Sequence, residues 1–170
     1  VGSEMCIRDR SISSALKEII IKKEYTEKDL FAYRGLWHST MHHGSFSATT
    51  PEATLQNINA RLLQAHQTVP KLDWLMLTFG TAYVYEAKET GKVVSNCHKL
   101  PENDFNRRLL SVDEIVDEYT SLITDMAACN ATLKFLFTVS PIRHIRDGMH
   151  ANQLSKSTLL LAVDRLQQSF

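Results

Sequence analysis

Two short apolar runs constrain this chain more than any other feature: residues 72–79, Leu-Asp-Trp-Leu-Met-Leu-Thr-Phe, closed by Gly80, and residues 133–139. Each is too short and too sharply bounded for a helix, and each predicts a strand buried on both faces. Between them, Ser111 and Glu114 have the spacing of a capping box. Ile115, Val116, Tyr119, Leu122, Ile123 and Met126 then recur at helical spacing as far as about Asn130. A strand, a helix and a second strand in that order call for a right-handed crossover and a parallel sheet.

The remaining pattern is helical. Ala15, Leu16, Ile19 and Ile20 mark one short helix, and Thr26 with Asp29 opens a second. Thr50-Pro51-Glu52 combines a capping hydroxyl, a proline at the first position and an acid in the first turn. It starts a helix whose buried face is Leu55, Ile58, Leu62 and Leu63 and which runs to about Gln67. After a polar loop at 140–150, Leu154, Leu159, Leu160, Leu161, Val163 and Leu166 make a final helix. The expected fold class is α/β, a doubly wound parallel sheet with helices on both faces.

Composition narrows the partners. At 170 residues and 44% hydrophobic content the chain fits one domain with a real core. Residues 1–10 have no periodic apolar face and read as a non-native leader, which leaves 11–170 as the domain. Nineteen basic residues balance nineteen acidic ones, so no overall field favours nucleic acid, an acidic polymer or a membrane surface. Cys6, Cys97 and Cys129 are odd in number and widely spaced, which suits free thiols in a reducing compartment. No apolar run approaches the roughly 18 to 20 residues that span a bilayer. These features predict a soluble, cytoplasmic protein that meets a small-molecule substrate, with no membrane or nucleic-acid partner and no cofactor.

Ligands in such sheets bind beyond the carboxyl ends of the strands, and the loops after the two apolar runs meet at that edge. The second carries Ser140, Arg143, His144, Arg146, Asp147, His150, Asn152, Gln153, Ser155 and Lys156, just before a helix. Helix amino termini favour negative charge and guanidiniums donate in pairs, so a carboxylate, phosphate or oxyanion suits this cluster. The plainer alternative is that Asp147 pairs with an arginine, Asn152 or Ser155 caps the helix, and the rest is solvated loop. His38, His42 and His43, flanked by Trp37, Ser45 and Phe46, form a second cluster without a metal-ligand motif. It reads as substrate contact or loop hydrogen bonding, with a metal site as the lesser alternative. Asn96, Cys97 and His98 form a third polar spot, where Cys97 is either a packed thiol or a nucleophile beside its histidine. No Gly-x-Ser-x-Gly elbow and no glycine-rich phosphate loop occurs anywhere.

Four separated runs carry a resemblance: Gly35-Leu36-Trp37-His38-Ser39 with His42-His43-Gly44-Ser45-Phe46-Ser47; Thr78-Phe79-Gly80-Thr81-Ala82-Tyr83-Val84-Tyr85; Ser95-Asn96-Cys97-His98-Lys99; and Thr138-Val139-Ser140-Pro141-Ile142-Arg143-His144 with Asp147-Gly148 and Asn152-Gln153-Leu154-Ser155-Lys156. In this order they resemble the GSCFA family over about residues 25–170. That family is named for an amino-terminal Gly-Ser-Cys-Phe-Ala motif and is similar to the SGNH or GDSL esterases.

The resemblance implies a three-layer α/β/α sandwich, a serine nucleophile after the first strand, oxyanion donors from a glycine and an asparagine, and a carboxy-terminal Asp-x-x-His pair. Neither the naming motif nor the terminal pair occurs in this sequence, so it reads as the interior of a longer domain and as inactive alone. Ala82 stands where the asparagine donor is expected, and any oxyanion role there rests on backbone amides. The resemblance thus implies ester or acyl hydrolysis of a small polar, acylated or carbohydrate substrate. Gly80 and Thr81 would lie beside the oxyanion. His42, His43, Asn96, His98, Ser140, Arg143, His144, Asp147, Asn152 and Lys156 would be the substrate contacts. A non-catalytic module for an anionic or carbohydrate ligand is the alternative.

Overall fold

The structure, a computed structural model, describes residues 9–89, 91, 93–94, 102–143 and 148–170. It is a mixed α/β arrangement of four helices and three small sheets among those residues. The helices are α1 (Asp9–Ile20), α2 (Pro51–Thr68), α3 (Val112–Cys129) and α4 (Gly148–Ser169). The strands are β1 (Phe31–Tyr33), β2 (Leu36–His38), β3 (Trp74–Phe79), β4 (Tyr83–Ala87), β5 (Val93–Val94), β6 (Phe105–Leu109) and β7 (Lys134–Val139).

The two apolar runs pair as expected. β3 and β7 are parallel and in register from Trp74 opposite Lys134 to Phe79 opposite Val139. Their burial differs from the expectation, because only one face is covered. Leu77 and Phe79 join a core with Ile12 of α1, Ile115, Tyr119, Leu122, Ile123 and Met126 of α3, and Leu159, Ala162 and Leu166 of α4. The alternate positions face outward, with Trp74 54%, Met76 68% and Leu136 42% exposed. An apolar run reads as doubly buried even when half of it faces solvent, since tryptophan and methionine carry the same hydrophobic signal on either face.

The expected helix opening at Thr26 is also corrected, and residues 83–109 hold strands that the sequence reading left unassigned. Thr26 and Asp29 do form a capping box, but it closes a single 3-10 turn (Glu27–Asp29) rather than a helix. No apolar stripe follows that would hold a helix against the core. Beside the parallel pair lies an antiparallel sheet in the order β5-β4-β6, with Tyr83 opposite Leu109 and Ala87 opposite Phe105. Its charged residues, Glu86, Arg107 and Arg108, hide the strand pattern in the sequence. β1 and β2 form a tight hairpin, turned by Arg34 and Gly35 at φ 50° and 77°. Positive φ at both turn positions matches the twist of a two-residue hairpin.

Helix starts follow local chemistry. Thr50 Oγ1 accepts from Ala53 N at 3.2 Å, with Pro51 next in the chain. Ser111 Oγ accepts from Glu114 N, and the Glu114 carboxylate accepts from Ser111 N. Glu114 also receives both terminal nitrogens of Arg108, while Arg108 Nε donates to Glu86, so one guanidinium joins β4, β6 and the start of α3. The Arg108 bonds, helped by the Ser111 amide, lower the Glu114 carboxyl from about 4.5 to about 2. Near the amino end, Asn59 holds both backbone groups of buried Tyr25, at 2.8 Å and 2.9 Å. The Tyr25 hydroxyl donates to Glu18; burial, and then this carboxylate, push its pKa well above the ordinary phenol range.

Two outcomes follow. Glu114 has a lower pKa folded than unfolded, so between those values the unfolded chain binds more protons and stability rises with pH. In urea titrations, the advantage of wild type over Glu114→Gln should be full above about pH 4.5 and fade as pH falls towards 2. An advantage independent of pH would refute the ion-paired state. Phe79 is 0% exposed, and Phe79→Ala should cost about 3–5 kcal/mol in the same assay.

Candidate functional site

The carboxyl ends of β3 and β7 carry the loops that begin at Gly80 and Ser140, and Ser140 N donates to Phe79 O at 2.8 Å, which fixes one exit beside the other. Below them, α4 presents polar residues on its inward stripe. The helix begins at Gly148, at φ 87°, two residues before the expected end of the loop at 150. Asn152 and Ser155, three residues apart, are buried on one face inside the helix rather than at its amino-terminal cap. Leu154, Leu160 and Leu161 lie in the helix as expected but on its outer side, 45%, 58% and 57% exposed.

Ser155 joins helix and loop. Its Oγ accepts from Ala82 N at 2.8 Å and lies 3.0 Å from Thr81 Oγ1, which accepts in turn from Tyr83 N at 3.2 Å. The amides of Ala82 and Tyr83 are thus engaged within the protein, so backbone donation to an oxyanion from those two would require these bonds to break. Lys156 Nζ donates to Gly80 O at 2.5 Å. Ser155 stood out only weakly in the sequence. The available signal was a hydroxyl four residues before Leu159 on the buried stripe, where an alcohol needs a partner.

A cleft of about 360 Å³ opens beside this hub, lined by Val139, Ser140, Pro141, Arg143, Met149, Asn152, Gln153, Lys156 and Leu160. The lining combines apolar Val139, Pro141, Met149 and Leu160 with a guanidinium, an ammonium, two amides and a hydroxyl. Among these lining residues the charged ones, Arg143 and Lys156, are both cations. The structure therefore brings together Ser140, Arg143, Asn152 and Lys156 of the expected contacts, with Gly80 and Thr81 bonded to the helix behind them. Asn96, His98, His144 and Asp147, and Cys97 with them, lie outside the described residues.

His42 and His43 are not among the residues lining the cleft. His42 Nδ1 is 3.1 Å from Ser39 Oγ, and the ring stands edge-on to Tyr25 with centroids 4.7 Å apart. His43 Nδ1 accepts from Ser45 N at 3.1 Å and caps a short 3-10 turn. His38 lies on β2, with Nε2 3.2 Å from Tyr33 O and Nδ1 2.7 Å from Ser47 Oγ. Among the described residues, no three histidine, cysteine or acidic side chains group to hold a metal, and no helix is long and apolar enough to cross a membrane.

Ser155→Ala removes the acceptor of the buried Ala82 amide. The expected cost is about 1–3 kcal/mol in chemical denaturation, with faster hydrogen exchange at Ala82 and Tyr83. Unchanged exchange at both would show that this bond does not hold the loop.

Comparison with known proteins gives one relationship. The GSCFA family model matches residues 6–170, nearly the whole chain, and the chain belongs to that family. Neither the curated proteins nor the solved structures give a match.

Proposed function

Taking membership of the GSCFA family together with the cleft, we propose that this chain holds a small anionic or acylated molecule at the carboxyl edge of β3 and β7. We place that edge in a three-layer SGNH-like domain whose complete site hydrolyses an acyl or ester bond with a serine nucleophile. The observation that carries the binding reading is the cleft itself: Arg143, Lys156, Ser140, Asn152 and Gln153 line it together with apolar Val139, Pro141, Met149 and Leu160, and no acid is among the lining side chains. Cations and apolar side chains in one cleft favour a ligand with one charged or strongly polar end and a short hydrocarbon part, such as an acyl acid or an acylated sugar.

The roles divide by geometry. Arg143 is exposed and supplies the donors that meet the ligand's charge. Lys156 adds positive charge while it holds Gly80, and Thr81 and Ser155 keep that loop in place. In this reading the chain supplies binding and orientation, and the nucleophile comes from the family's naming motif. The alternative of a ligand-binding module without catalysis uses the same cleft and needs no serine.

Thermal unfolding tests the cleft that both readings share, and a turnover assay separates them. Butyrate and inorganic phosphate should raise the unfolding temperature of this chain; at a hundredfold excess over Kd a single site contributes about 2.7 kcal/mol. Arg143→Ala should abolish the shift, and Lys156→Met should weaken it. A shift that persists undiminished in Arg143→Ala rejects the cleft as the site. Hydrolysis is tested on a GSCFA protein that contains the Gly-Ser-Cys-Phe-Ala motif, using p-nitrophenyl butyrate. Loss of turnover when that serine becomes alanine supports the hydrolase; anion binding without serine-dependent turnover supports the non-catalytic module.

A further inference from the structure

A braced pairing of a hydroxyl and an imidazole lies apart from the cleft residues, between the β1–β2 hairpin and the loop that follows it. Ser47 Oγ sits 2.7 Å from His38 Nδ1, and His38 Nε2 sits 3.2 Å from Tyr33 O. A carbonyl oxygen only accepts, so Nε2 must carry a proton. In the neutral ring Nδ1 is then the bare nitrogen, and it accepts the Ser47 hydroxyl proton. This is the arrangement that activates a serine: a nucleophile bonded to a base whose far nitrogen is oriented by a third group.

The pair is held by its surroundings as well as by its own bond. Trp37 N, one residue before His38, donates to Ala48 O, one residue after Ser47, at 2.8 Å. Thr54 on α2 accepts from Ala48 N at 3.0 Å, which ties that flank to the helix, while its own hydroxyl lies 3.0 Å from Thr50 O and 3.4 Å from Trp37 O. Phe31 stacks on the His38 ring with centroids 5.5 Å apart, and Tyr33 lies tilted beside it at 6.4 Å. Ser47 and His38 are each half-buried, so the braced pair remains within reach of a small electrophile.

We propose that Ser47 and His38 form a second reactive site, a serine nucleophile with its imidazole base, that accepts acyl or phosphonyl groups independently of the cleft. Towards an ester, the Ser47 Oγ–carbon bond forms as the hydroxyl proton passes to His38 Nδ1. The imidazolium returns that proton to the departing alkoxide as the ester C–O bond breaks. Water, deprotonated by the same nitrogen, then cleaves the acyl–serine bond and restores both groups. Towards a fluorophosphonate, the Oγ–phosphorus bond forms as the hydroxyl proton passes to His38 Nδ1 and on to solvent, the P–F bond breaks with loss of fluoride, and the adduct remains on the serine.

The experiment is fluorophosphonate labelling of the whole chain, followed by peptide mass spectrometry. The expected result is an adduct on Ser47 and none on Ser169, an exposed serine bonded to a backbone carbonyl. His38→Gln keeps a side-chain amide to bond Tyr33 O but removes the base, and should slow labelling by about a hundredfold or more. Ser47→Ala should abolish it. Circular dichroism confirms that each variant is folded. The proposal is overturned if folded wild type carries no adduct on Ser47, or if folded His38→Gln is labelled as fast as wild type. An adduct at Ser140 or Ser155 instead would assign the reactivity to the cleft.

Discussion

The contact among Phe79, Tyr119 and Phe137 sets most of what lies around it. Phe79 meets Tyr119 edge-on at 4.9 Å between centroids, and Tyr119 meets Phe137 at 5.9 Å and 87°. Aromatic rings in this geometry bury a large apolar area and add a directional quadrupole interaction, so they fix both the height and the rotation of α3 over the parallel pair. Phe79 is also the last residue of β3. Its burial therefore decides where the strand stops, and its carbonyl, accepting from Ser140 N, decides where the second loop begins. The two loops meet at one edge because a core residue and a backbone bond at the same position tie their origins together.

α4 completes this edge by changing character along its length. Its inner stripe is polar in the first half, at Asn152 and Ser155, and apolar in the second, at Leu159, Ala162 and Leu166. The lower half is held by burial, which tolerates small shifts, and the upper half by hydrogen bonds, which are lost within about half an ångström. The polar half faces the loop at 80–83, so the more exacting interactions lie where a ligand would be oriented. Lys156 follows the same logic, since its bond to Gly80 O locates a cation at the cleft wall that a free lysine would swing through solvent.

How far the sequence could be read depended on whether the signal was local. The caps at Thr50 and Ser111 and the strands at 74–79 and 134–139 were legible because a few neighbouring residues determine them. The antiparallel sheet was not, because β6 reads Phe-Asn-Arg-Arg-Leu and its arginines bond Glu86, Glu114 and Tyr85, which lie outside the strand. The exposed side of Trp74 and Met76 was misread for the converse reason: an apolar residue carries no mark of what covers it. Of the site, the basic loop near Arg143 was visible as composition, whereas the Ser155 hub and the His38–Ser47 pair depend on contacts across 73 and 9 residues that spacing does not encode.

Polarity along the parallel pair points the same way on both faces. Outward, Trp74 lies near the amino end with Lys134 5.2 Å from its ring centroid, while the carboxyl end carries Thr78 and Thr138 with hydroxyls 2.8 Å apart. Inward, the same edge meets Ser155 and Asn152 of α4. Removing an unpaired polar group from water costs more than burying a methylene gains, so a sheet edge with hydroxyls and amides on both sides is stable only where those groups are bonded or hydrated. At this edge the hydroxyls of Thr78, Thr138, Thr81 and Ser155 are paired with one another. The hub behind the cleft thus has its internal bonds made, while Arg143 of the cleft lining is exposed.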